Sequence, residues 1–83
     1  MKLVINNPIR INHPMANKIS IQNGEHHYAG VNTSELAFFM NNKWVTEIIP
    51  EFADYAEAWA GDTRVYGWVP NELVERFLEN YAA

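Results

Sequence analysis

Two short stretches of this chain are apolar on both of their faces, and that limits what it can fold into. A β-strand sends alternate side chains to opposite sides of its sheet. A strand with one wet face therefore carries a polar residue at every second position. Residues 36–40 read Leu-Ala-Phe-Phe-Met, with Leu36, Phe38 and Met40 on one side and Ala37 and Phe39 on the other. In residues 63–69, Val65, Gly67 and Val69 share one side while Tyr66 and Trp68 share the other. Both faces of such strands need cover, either from helices of the same chain or from another molecule.

The remaining segments supply few candidates for that cover. Lys18 to Gln22 alternates, with Ile19 and Ile21 on one face. Asn23-Gly24 then carries the positive φ of a two-residue hairpin turn, so Glu25 to Val31 is expected to return as a strand. Leu36–Met40 admits a helix capped by Ser34. The hairpin reading is preferred, with Asn41-Asn42 as the turn and Lys43 to Ile48 as the return strand, because the flanks are aromatic and β-branched. Pro50 suits the first turn of a helix over about 50–60, with Phe52, Tyr55, Ala56 and Trp59 on one face and Gly61 at its end. Asn71 is placed as the N-cap of a second helix over about 71–81, carrying Leu73, Val74, Phe77, Leu78 and Tyr81 at helical spacing. Pro8 and Pro14 make residues 1–16 an extended arm or edge strand. The prediction is a single α+β domain over residues 1–83. It has a small antiparallel sheet of four to five strands (two hairpins plus a strand near 63–69) and two C-terminal helices.

Eighty-three residues allow one small domain, and the absence of cysteine removes disulfides, thiol catalysis and cysteine-held metals. No apolar run approaches the roughly 18 residues of a membrane span, and the first residues lack the apolar core of a secretory signal. A cytoplasmic location is expected. The net charge of −4 is unevenly spread. Residues 1–43 hold four bases against Glu25 and Glu35, a sum of +2; residues 44–83 hold eight acids against Arg64 and Arg76, a sum of −6. An acidic surface repels phosphate, so direct nucleic-acid binding is not expected, whereas a basic protein partner would be drawn to it.

Motifs of catalysis are missing. His13, His26 and His27 form no metal-binding spacing, and adjacent His26 and His27 on a strand would face opposite ways. Neither Ser20 nor Ser34 lies in a nucleophile elbow, and the four glycines build no phosphate-binding loop. Glu72, Glu75 and Glu79 share a helical stripe, where surface pairing with Arg76 is their ordinary role. No metal, cofactor or catalytic residue is expected.

Aromatic residues, 13% of the chain and including three tryptophans, point to contact surfaces instead. The sequence therefore predicts a small acidic, non-enzymatic protein-interaction module. Phe39, Trp44, Tyr66 and Trp68 are its contact residues, and Glu72, Glu75 and Glu79 steer a basic partner from the rim. Its sharpest form is an inhibitor that masks a basic surface. In size, acidity and lack of catalytic motifs the chain resembles phage-encoded counter-defence proteins, including anti-CRISPR proteins, a resemblance of composition that rests on no motif. Two alternatives stand beside it: a homodimer joined through its sheets, and a small enzyme or ligand-binding subunit that uses a His–carboxylate cluster, with Glu25 or Glu35 as the carboxylate.

Overall fold

The computed structural model describes residues 8–23, 32–57 and 63–83. The expected return strand at 25–31, Trp59, Gly61, His26 and His27 lie outside them.

Five strands form one antiparallel sheet: β1 (Ile9–His13), β2 (Ala16–Gln22), β3 (Thr33–Met40), β4 (Lys43–Trp44) and β5 (Tyr66–Pro70). β2 lies between β1 and β3, and β4 and β5 both pair with β3. Direct pairing of Ile19 with Phe38 and of Ile21 with Leu36 puts these four apolar residues on one face, all fully buried. Asn41 and Asn42 turn the chain between β3 and β4 with φ of 53° and 68°. Two consecutive positive φ angles define the tight turn whose twist matches a hairpin, so residues 35–40 are strand and not helix. β4 is shorter than the expected 43–48. The chain beyond Trp44 is tied to Arg64, which donates from Nε to the Thr46 carbonyl and accepts at its own carbonyl from Trp44 Nε1 (2.7 Å).

Only one of the two expected α-helices forms, α1 (Asn71–Asn80). The segment after Pro50 is a six-residue 3₁₀ helix, Pro50–Tyr55, kinked at Phe52. It cannot continue, because the backbone that would extend it is committed to the edge of β5. Ala56 bridges Tyr66, and the Glu57 N–H donates to the Val65 carbonyl (2.9 Å). Asn71 is the first residue of α1 and not its cap. Pro70 occupies the cap position, and the Asn71 side chain instead accepts a bond from the Ser34 hydroxyl in the interior.

Both helical elements cover the same side of the sheet. Phe52 and Phe77 pack ring against ring at 5.0 Å, and Phe38 of β3 meets each of them at 5.9 and 5.8 Å. Val74, Leu36, Val69 and Tyr66 complete this core. The opposite face has no described helix over it. The sheet's outer edges are blunted by backbone bonds outside the strands, which guards against edge-to-edge pairing. On β1, Ile11 bridges Ala82 and the Asn12 N–H donates to the Tyr81 carbonyl (2.8 Å); on β5, residues 56–57 do the same. No helix among the described residues is long and apolar enough to cross a membrane.

Candidate functional site

The structure divides the seven predicted contact residues among four places. Phe39 and Trp44 are direct partners across β3 and β4, with rings 5.1 Å apart, on the face that no described helix covers. Lys18 pairs with Phe39 from the other side and Arg10 pairs with Lys18, so this row runs from two cations to two aromatic rings. Tyr66 is fully buried. Its hydroxyl accepts from the Ile49 N–H (2.9 Å) and donates to the Glu47 carbonyl (3.3 Å), so it is a core residue with no surface to offer a partner. Trp68 is 53% exposed near the end of β5, and α1 follows β5 without a loop, so Glu72 and Glu75 lie on the first turns of the helix just after it. Glu79 lies further along α1, exposed. The acids of α1 therefore sit on the helical side of the sheet, away from Phe39 and Trp44.

A bulge explains why Tyr66 and Trp68 do not share a face as simple alternation predicts. Ser34 pairs with Val69 and Leu36 with Tyr66, so the two residues Gly67 and Trp68 stand opposite the single Glu35. Trp68 takes φ of 59° to make the bulge, and Tyr66 and Val69 then both point into the core. A left-handed backbone at a residue with a Cβ costs about 1–2 kcal/mol, and glycine or asparagine is the usual occupant. Here a tryptophan bears that strain while about half of its surface stays in water. Strain of this kind gathers at binding and catalytic sites.

A second constellation links three elements on the helical side. The His13 side chain is buried among Phe77 and Tyr81, with ring centroids 5.6 and 4.6 Å away. The Met15 N–H donates to His13 Nδ1 (3.0 Å), so that nitrogen is the acceptor and the ring proton lies on Nε2. Nε2 sits 3.2 Å from both oxygens of Glu51, on the 3₁₀ helix. Tyr81 lines the same cleft as Glu51, and its hydroxyl is the polar group that most lowers the Glu51 carboxyl. Partial burial pushes the Glu51 carboxyl towards its neutral form, but the bonds from Tyr81, its own backbone and His13 prevail and hold it below the ordinary carboxylate range. The same bond to Glu51, helped by burial, raises the Tyr81 hydroxyl. Beside Glu51, a cleft of about 220 Å³ opens between the 3₁₀ helix and α1, with Phe52, Leu73, Phe77 and Tyr81 along it.

His13 and Glu51 are the only His–carboxylate pair among the described residues, and the pair differs from those the sequence suggested. Both nitrogens of His13 are engaged inside the fold, so the ring has no free atom for a substrate and serves to orient Glu51. The sequence missed this pair because its members stand 38 positions apart and the histidine carries no motif. Among the described residues, no group of three or more His, Asp or Glu side chains is placed to hold a metal ion. No known protein family, curated protein or solved structure matches the chain.

Proposed function

We propose that this chain is a small non-enzymatic module that docks on a protein with a basic surface, with Trp68 as its anchor. The observation that carries this reading is the exposed Trp68 ring on a strained backbone. More than half of this large aromatic residue stays in water, and tryptophan is among the side chains that most often dominate protein interfaces. Glu72 and Glu75, at the start of the helix that follows, supply the charge that draws a basic partner in. A partner covered in this way loses the use of its basic surface, which is how an inhibitor of nucleic-acid-binding proteins would act.

The test uses the fold's own preference. Trp68→Gly keeps the left-handed bulge and removes the ring. The variant should stay folded and lose the partner. Glu72→Gln with Glu75→Gln should slow association and flatten its dependence on salt, since rim charges act mainly on encounter. A Trp68→Gly protein that holds the same partner with unchanged affinity contradicts the reading.

A second reading is favoured by the paired rings of Phe39 and Trp44 on the open sheet face. That face would join two copies of the chain. Light scattering across a concentration series separates the two, since a dimer that dissociates on Trp44→Ala assigns the face to self-association.

A further inference from the structure

We propose that the cleft between the 3₁₀ helix and α1 receives an arginine side chain of the partner, with Glu51 as its counter-ion. This inference rests on the reading of the chain as a module for a basic partner and adds a second contact to it. Three observations point to a cation here.

The first is an oriented carboxylate without a lysine or arginine partner. Glu51 accepts from His13 Nε2 (3.2 Å), and His13 Nδ1 accepts from the Met15 N–H, so the ring has one proton to offer and it points at Glu51. No lysine or arginine reaches Glu51 among the described residues. The nearby Arg76 instead pairs with Glu72 (3.3 Å), one turn back along α1. The second observation is access. The Glu51 side chain keeps 33% of its surface, and a carboxylate has about four acceptor positions, so room remains for a further donor. The third is the lining. Phe52, Leu73 and Phe77 form an apolar base with the Tyr81 ring beside it, and Asn80 and Arg76, the latter turned to Glu72, stand at its margin. A methylene stem packs on such a base, and a flat, weakly hydrated guanidinium tolerates aromatic neighbours better than an ammonium does. The cleft's volume of about 220 Å³ suits one long side chain.

Titration of the ¹⁵N-labelled protein with N-acetyl-arginine-N-methylamide tests this directly. Saturable shifts are expected at the amides of Glu51, Leu73 and Tyr81. The norleucine analogue, of similar length and uncharged, should produce none. Glu51→Gln should weaken the arginine probe by about tenfold, the scale of one hydrogen bond to a charged group. Arg76→Ala alters only an exposed side chain and removes a competing cation, so it should tighten binding by about two- to threefold, in line with a surface charge interaction. Equal shifts from the norleucine probe, binding as tight by the lysine probe, or an Arg76→Ala protein that binds arginine more weakly would each overturn the proposal. The docking reading is tested separately. If arginine fails to bind while a Trp68-dependent partner is still captured, the cleft proposal falls alone. If arginine binds at Glu51 and no such partner exists, the docking reading falls alone.

Discussion

Trp68 and Tyr66 are two residues apart in sequence and opposite in role, and substitution should separate them. Trp68→Gly relieves a left-handed backbone worth about 1–2 kcal/mol but gives up the just under half of the Trp68 surface that the fold covers, so the two effects offset and chemical denaturation should show a net change of no more than about 1–2 kcal/mol. Tyr66→Phe keeps the ring and removes the hydroxyl that accepts from Ile49, itself fully buried. An orphaned amide in the core costs about 1–3 kcal/mol, and the same measurement should show a loss of that size. Sequence alone placed both residues on one face, because period-two alternation carries no sign of a bulge. Gly67 was the available hint, since glycine inside a strand often marks one. The bulge is instead made at Trp68, a residue whose preferences argue against it.

Among the elements, the β3–β4 hairpin follows most directly from local sequence. Asn41 and Asn42 each tolerate positive φ, and both adopt it. Asn42→Gly should leave the melting temperature unchanged or raised, while Asn42→Ala should lower stability by about 1 kcal/mol through the Cβ clash. α1 was legible for a similar reason, since its apolar positions recur at helical spacing and Val74 and Phe77 enter the core. The 3₁₀ helix was not. Phe52, Tyr55 and Ala56 do have helical spacing, but the backbone at Ala56 and Glu57 is claimed by β5, a pairing across about ten residues that no local pattern reveals. The His13–Glu51–Tyr81 contact was hidden in the same way, since it exists only once β1, the 3₁₀ helix and the end of α1 have come together.

At the scale of the molecule, the sheet face that no described helix covers carries Arg10, Lys18, Glu35, Phe39 and Trp44, and the helical side carries Glu51, Glu72, Glu75 and Glu79 with Arg76 among them. Of these two groups, the helical one is the more acidic. The acid side also sets a dependence on pH. The folded chain holds the Glu51 carboxyl below its ordinary range, so the unfolded chain takes up that proton first as pH falls. The stability contributed by Glu51 is therefore present above the unfolded value and lost as pH drops through the lower folded one. Thermal melts across mildly acid pH should show this slope in the wild type and a weaker one in Glu51→Gln. Tyr66, raised mainly by burial, and Tyr81, raised mainly by Glu51, act in the opposite range. Their contribution holds below the unfolded tyrosine value near 10 and is lost as pH rises through the folded one.

The central claim is that Trp68 is displayed for a partner at the expense of the fold. The measurement that tests it most directly is quantitative capture of a basic protein by wild type and by Trp68→Gly, run in parallel with their denaturation curves. The account predicts that Trp68→Gly folds cooperatively, within about 1–2 kcal/mol of wild type, and loses the partner. A Trp68→Gly protein that fails to fold, or that captures the same partner as well, would contradict it.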